Sequence, residues 1–347
     1  MRRALIILFI FSMLAGCGGN PSETRHWRFA IEEIPGSVQD AYAQQFKKLI
    51  EQKTDGKVQV EVYPYGSLGT SADITEQVRS GALQFAFASP GHLGSVIPEV
   101  QVFSLHFLFS GNDQVNERVL TDDPPLYKTL GAAYREKGLD LMAIVPEGWM
   151  VWTGNKPLRT PADFKGFKIR TMVSPLLLKA YEAYGANPTP MAYSEVYSGL
   201  QLNMIDGQVN PIFAIEEMSF YEVQKAMTFA RHLPFIATVI TNPRFFDGLP
   251  KKLQQTVREV RHELDGYIYD VQREYNAKRL EKIERVSDIQ MVHLTQAQRE
   301  AFRKLSLPVR KEYVQMAGPR GQRILDIIEA QLHKAEAATP ASAGSPG

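Results

Sequence analysis

The stretch Ala162-Asp163-Phe164-Lys165-Gly166-Phe167-Lys168-Ile169-Arg170-Thr171-Met172-Val173-Ser174-Pro175 decides how the rest of the chain is read. Its centre, Phe167-Lys168-Ile169-Arg170, reads as a short strand that ends on a basic residue. Four residues on, Ser174-Pro175 has the form of a helix N-cap followed by proline at the first helical position, where a missing N–H is no loss. A guanidinium and a helix N-terminus facing one space form an anion-binding arrangement. Further along, Asp206-Gly207-Gln208-Val209-Asn210-Pro211 repeats the pattern. Asn210 before Pro211 predicts a second capped helix, whose N–H groups and side-chain amide meet the same anion from another side.

Between these segments lie Pro188-Thr189-Pro190-Met191-Ala192-Tyr193-Ser194-Glu195-Val196-Tyr197 and Gly199-Leu200-Gln201. Taken in this order and spacing, the segments resemble the substrate-binding (P) subunit of tripartite ATP-independent periplasmic (TRAP) transporters, in its dicarboxylate-binding-protein-like family. No single tetrapeptide carries the match, and weaker echoes extend it over most of the chain, from Trp27 to Leu332. The resemblance implies an α/β, two-lobed periplasmic-binding-protein-like fold with a hinge and a long helix spanning both lobes. It implies a solute receptor, not an enzyme, that hands a small organic acid to the integral membrane subunits of a TRAP transporter. An ion gradient drives that transport, so no nucleotide, cofactor or metal is expected here. By the same resemblance Arg170 grips a substrate carboxylate in bidentate fashion, Asn210 lies in the cleft, and an aromatic at Tyr193 meets the ligand. Glu32 and Glu33 fall where the family lines the cleft from the other lobe, and Ser71 and Ser89 align with polar cleft positions.

The chain departs from sialic-acid-binding relatives in one respect. Those carry a second arginine at the position of Met150, within Gly148-Trp149-Met150-Val151-Trp152, so a second ionic clamp is absent there. Trp149, Met150 and Trp152 suggest an apolar or aromatic wall instead. One guanidinium neutralises one carboxylate, and an acid across the cleft repels a second one where water is excluded, so a monocarboxylate is expected. Lys168, Arg28 or a bound metal ion would supply the missing charge and reverse that expectation. Adjacent strand residues point to opposite faces, so only one of Glu32 and Glu33 is expected to face the ligand, near a hydroxyl, keto or amino group.

The residues by themselves leave plainer readings open. Arg170 alone reads as an ordinary ion pair, Asn210 as a simple N-cap, and Tyr193 as a hydrophobic staple before Ser194-Glu195. Phe213 is either helix core or pocket wall. Catalysis has little to stand on: there is no G-x-S-x-G elbow, Walker loop or G-x-G-x-x-G, and the 7 histidines include no ligand pair at helical spacing. A hydrolase built on scattered carboxylates has no nominated pair. A ligand-binding sensor lipoprotein of the same fold is the stronger rival, because fold does not fix function.

The ends and the composition bound the rest. Met1-Arg2-Arg3 and the apolar run Ala4 to Leu14 have the form of a secretory signal, and Leu14-Ala15-Gly16-Cys17 resembles a bacterial lipobox around the only cysteine. The expectation is a diacylglyceryl-modified Cys17 holding an extracytoplasmic protein to the membrane. Net charge is +1, from 39 basic and 38 acidic residues without large blocks, which argues against nucleic acid or an acidic polymer as partner. The protein is expected to be a monomer.

Short apolar strands alternate with helical patterns: Trp27–Ile34, a helix about 39–54, Val58–Tyr63, a helix about 73–80, Gln84–Ala88 and Leu139–Val145. This alternation predicts a mostly parallel sheet covered on both faces. A second such set begins at Trp149, and the resemblance returns the strand Phe235–Thr241 to the first lobe. Pro250 opens a helix of some 35 residues with apolar positions from Leu253 to Val286, roughly 50 Å long. Bracing both lobes is its expected role, with coiled-coil dimerisation as the competing one. The expected division is 1–17 signal, 18–26 tether, 27–148 with 236–276 lobe I, 149–235 with 277–334 lobe II, and 335–347 a disordered tail.

Overall fold

The computed structural model describes residues 24–121 and 123–338. Cys17 and the signal-like segment lie outside the described residues. The strands are β1 (Arg25–Ala30), β2 (Val58–Tyr63), β3 (Phe85–Ala88), β4 (Asp140–Gly154), β5 (Lys168–Thr171), β6 (Asn187–Pro190), β7 (Gly207–Pro211), β8 (Ala226–Phe229), β9 (Pro234–Thr241) and β10 (Gln290–His293). The helices are α1 (Val38–Lys53), α2 (Ser71–Ser80), α3 (Pro90–Leu93), α4 (Asp113–Thr121), α5 (Pro124–Glu136), α6 (Pro175–Glu182), α7 (Val196–Gln201), α8 (Ile212–Glu217), α9 (Pro243–Asp247), α10 (Lys251–Val286), α11 (Gln296–Ser306) and α12 (Val309–Ala338).

Two lobes share one strand. The strands run in the order β2-β1-β3-β9-β4-β7-β5-β6, with β8 and β10 branching from β4. Residues Asp140 to Trp149 of β4 pair with β9, and Met150 to Gly154 pair with β7. The junction is marked by a bulge between Pro146 and Gly148. There Gly148 has φ +126°, and a Cβ would stand 2.4 Å from the Asn276 amide nitrogen, so only glycine fits. The first sheet is mixed: β1 runs parallel to β2 and β3, whereas β9 is antiparallel to both β3 and β4. The expectation of a mostly parallel sheet is corrected accordingly. The strand returning from the second lobe enters from the opposite end, and alternation of strands and helices carries no information about such a return.

The long helix forms over 36 residues, about 54 Å at ~1.5 Å per residue. Val257, Val260, Leu264 and Ile268 pack with Trp27, Phe29 and Phe85 of the first lobe, and Ile283 packs with Val196, Ile215 and Met227 of the second. Each fully buried aliphatic or aromatic side chain contributes roughly 1.5–3 kcal/mol, so both lobes hold the helix firmly. The chain covers its own apolar stripe, leaving a coiled coil little to use. Between the two contacts the buried positions turn polar, at Gln272 and Asn276, where the helix passes behind the β4 junction.

Two expected boundaries shift. Tyr313, Ile324, Leu325, Ile328 and Leu332 of α12 sit in the core of the first lobe with Leu130 and Tyr134, so the segment from 309 onward does not belong with lobe II. The helix also continues to Ala338, past the expected start of a disordered tail at 335. Leu332 and Ala335 extend its buried stripe, which gives that last turn a partner.

Candidate functional site

Between the lobes lies a cavity of about 240 Å³, near the lower end of the range that holds small ligands. The second lobe contributes Arg170 from the third position of β5, Asn210 from β7, and Met172, Ala192, Tyr193 and Phe235. The first contributes Glu32, Glu33, Gln39, Tyr65, Ser71, Ser89 and His92. A larger hollow of about 740 Å³ opens between the start of β1 and α10, bounded by Thr24 where the described residues begin. It is open to solvent and holds no buried unpaired charge, so the interlobe cavity is the better candidate.

Arg170 is 1% exposed. Its Nε and Nη2 donate to the Met191 carbonyl at 3.0 and 2.8 Å, which fixes the plane of the guanidinium and leaves the Nη1 side free. No carboxylate lies within ion-pair distance of it among the described residues. Burial pulls its pKa down to about 10, so at neutral pH it is a buried cation without a counter-ion. Such a group is costly unless something anionic arrives.

Neither helix N-terminus joins it, which corrects the opening reading of the sequence. Ser174 caps α6 as expected, accepting from the Leu177 N–H at 3.4 Å, but Gln101 of the first lobe takes the Leu176 N–H at 3.1 Å. Asn210 caps nothing. It is the fourth residue of β7, paired with Val151, and its amide donates to Gln208 at 2.5 Å. The N–H of Phe213 at the start of α8 is satisfied by Asn276 at 3.1 Å. A side chain from elsewhere in the chain has already taken one of the orphan donors at the start of each helix.

The opposite wall is acidic. Glu32 and Glu33 lie in a bend after β1, not in the strand, so strand alternation does not apply and both border the cavity. The Ser89 N–H donates to Glu32 Oε2 at 2.8 Å. The Ser71 and Ser89 hydroxyls approach the same carboxylate, without closing a well-directed hydrogen bond on Oε1. Gln39 organises the group: its backbone N–H donates to Glu33 at 3.2 Å, its Nε2 to Glu147 at 3.0 Å, and its Oε1 accepts the Glu32 N–H at 2.8 Å. Burial raises the pKa of Glu32, with His92 opposing the rise. Burial also pushes Glu33 up to about 7, against hydrogen bonds from Glu147 and Gln39, and lifts Glu147 well above the carboxylate range.

Of the residues singled out by sequence, Arg170, Asn210, Tyr193, Glu32, Glu33, Ser71 and Ser89 line this cavity. Trp149, Met150 and Phe213 do not, and these expectations are corrected. Met150 and Trp152 share a face of β4 and fill the core of the second lobe, with Trp152 donating to Tyr181 and His232, each at 3.1 Å. Trp149 faces a separate recess, where it donates to Asp113 at 2.8 Å beneath the Arg231 guanidinium. Phe213 is core, and its neighbour Ala214 faces the cavity instead. The aromatic wall is made by Tyr65, Tyr193 and Phe235, with the Tyr65 and Tyr193 rings edge to face at 6.1 Å. Lys168 and Arg28 are exposed and outside the lining, so His92 is the only lining residue besides Arg170 able to carry positive charge.

Residues 29–316 match the model of bacterial extracellular solute-binding protein, family 7. The chain is 39% identical to the ectoine-binding periplasmic protein TeaA of Halomonas elongata, over 88% of this chain and 90% of that protein. It is 37% identical to the ectoine/5-hydroxyectoine-binding periplasmic protein UehA of Ruegeria pomeroyi, over 94% and 97%. Among solved structures it resembles a TRAP periplasmic solute-binding protein of Marinobacter aquaeolei in an apo open state, with TM-score 0.84 and 45% identity, covering 88% of this chain and 99% of that one. The structure of the Halomonas elongata ectoine-binding protein gives TM-score 0.86 at 38% identity, covering 89% and 99%.

Proposed function

The chain belongs to bacterial extracellular solute-binding protein family 7, the periplasmic receptors of TRAP transporters, and on that premise we propose that its cleft takes a small zwitterionic monocarboxylate of the ectoine type. The observation that carries this reading is Arg170: a buried guanidinium with no carboxylate partner among the described residues, facing a cavity whose far wall is acidic. A ligand carboxylate completes the guanidinium through two parallel hydrogen bonds, which a lysine cannot form. Asn210 adds a neutral hydrogen bond beside it. Tyr65, Tyr193 and Phe235 enclose the body of the ligand, and a ring bearing delocalised positive charge suits aromatic faces as well as Glu32 and Glu33. Ectoine is a cyclic amidinium carboxylate and carries both charges on one small ring. A dicarboxylate would put its second anion against Glu32 and Glu33 with only His92 to meet it.

Closure of the lobes removes water from these ion pairs and strengthens them. The closed form then reports occupancy to the membrane subunits. Relatives in the family are binding proteins, and no helix among the described residues is long and apolar enough to cross a membrane. Calorimetry with ectoine, 5-hydroxyectoine, succinate, malate and simple monocarboxylates tests the ligand class. Ectoine is expected to bind with micromolar or tighter affinity and the dicarboxylates far more weakly; binding of dicarboxylates alone would overturn the reading.

Attachment through an acylated Cys17 is a separate proposal that rests on the lipobox-like Leu14-Ala15-Gly16-Cys17. Intact mass of membrane-extracted protein checks it, and a mature N-terminus at any other residue ends it.

A further inference from the structure

Glu147 stands behind the acidic wall and does not reach the cavity. It is 0% exposed, on the bulged junction of β4, and its Oε2 has no hydrogen-bond donor from any nitrogen or hydroxyl around it. Gln39 supplies one N–H to Glu147 and one to Glu33, and the two carboxyl groups are within hydrogen-bonding reach of each other. Glu32, which lines the cavity, also keeps a buried oxygen, Oε1, without a hydrogen-bond partner. No lysine or arginine is within ion-pair distance of Glu32, Glu33 or Glu147 among the described residues. Two carboxylates in contact, away from water and without a cation, do not both ionise. A proton on Glu147 gives its orphaned oxygen a use, because a carboxylic acid can donate where a carboxylate can only accept.

We propose that Glu147 holds a proton that it donates to Glu33, and that this proton fixes the acidic wall to receive a ligand group of a single positive charge. The proposal deepens the zwitterion reading and rests on it for the ligand. Glu147 acts as a positioning residue: it turns Glu33 into an oriented acceptor and keeps one carboxylate charge out of the wall. The groups facing the pair are Glu32 in the same bend, Gln39 on α1, His92 on α3 beside Glu32, and Tyr193 and Arg170 across the cleft. Glu217 on α8 is a further acid, raised to about 8 by burial first and Glu33 second, and Arg279 of α10 offsets it. None of these supplies Glu147 with a counter-ion.

A buried acid whose pKa rises on folding stabilises the protein relative to an ordinary acid below the usual range near 4.5. That contribution is lost as pH climbs through about 7 for Glu33 and higher for Glu147. Glu147→Gln keeps the shape and the donor but cannot titrate. Thermal melting is to be followed from about pH 5 to about pH 9 in wild type and Glu147→Gln, without ligand. The two are expected to melt together at the acid end, and the variant to melt higher at the alkaline end. Parallel profiles would overturn the proposal, since Glu147 would then not carry the titrating proton. In a second arm, ectoine affinity at neutral pH should stay within about threefold in Glu147→Gln and fall about tenfold or more in Glu147→Ala, which cannot donate. An equal loss in both variants would mean that a carboxylate is needed there and would also overturn it. If ectoine bound none of these proteins, the zwitterion reading would fall while the melting curves still decided the proton.

Discussion

Arg170 and Glu147 are 1% and 0% exposed, on opposite sides of one cleft, and the fold treats them differently. The guanidinium, even with its pKa drawn down to about 10, cannot discard its proton in neutral water, so it remains a charge that no carboxylate among the described residues balances. The carboxyl groups have another way out. In the arrangement proposed above, Glu147 keeps a proton that it donates to Glu33 while Gln39 donates to both, so the acidic wall is largely satisfied before a ligand arrives. The ligand's anionic end should therefore contribute more to affinity than its cationic end.

The sharpest way to break that comparison is Arg170→Lys. The charge remains but the paired geometry is lost, and breaking one side of a buried charged pair costs about 2–5 kcal/mol, or about 30-fold to several thousand-fold in affinity. Calorimetry that found ectoine bound within about threefold of wild type would refute the assignment of Arg170 to the carboxylate.

Glu32→Gln probes the other wall. An amide oxygen can still accept the Ser89 N–H, so the fold should hold. A hydrogen bond to a charged group is worth about 1.5–3 kcal/mol, and a zwitterion should bind roughly 10- to 150-fold more weakly. A monocarboxylate with no cationic group should lose nothing. Equal losses for both ligands in parallel titrations would show that Glu32 shapes the cleft without reading charge.

What was legible in the sequence differed between the walls in the same way. Arg170 stood out because a strand ending on a basic residue, followed by Ser-Pro, is a local pattern, and the order of segments to Pro211 carried the family. The long helix was legible from Leu253 to Val286 by its apolar period, and with it the bracing of both lobes. The polar character of the buried positions at the hinge, Gln272 and Asn276, was not, because burial there depends on what β4 places against the helix. Asn210-Pro211 read as a cap since the dipeptide favours one, but pairing with Val151 holds it in β7, and long-range pairing leaves no local mark. Trp149, Met150 and Phe213 failed because a pocket assignment needs the face as well as the position: Met150 turns into the second lobe, and Ala214 takes the place expected for Phe213. Gln39, Tyr65, His92 and Phe235 were missed, since contacts from separate loops give no spacing to find. Glu147 did leave a trace, as a lone acid between Leu141 and Val151 in a run otherwise suited to a buried strand.

Asn210→Ala gives the smallest effect and bears on the simpler side of the comparison. If Asn210 were a helix cap, its loss would lower stability by about 1 kcal/mol. In the structure its amide is a strand side chain linked to Gln208, which in turn reaches Thr153, and the start of α8 is held by Asn276. Removing it should leave the melting temperature nearly unchanged while ectoine affinity falls by what one neutral hydrogen bond contributes, about 0.5–1.5 kcal/mol, or roughly two- to twelvefold. The loss should be the same for zwitterionic and simple monocarboxylates, because Asn210 lies on the carboxylate side with Arg170 and not with Glu32. A melting shift with unchanged affinity would return Asn210 to a structural role and leave Arg170 alone as the anion's partner.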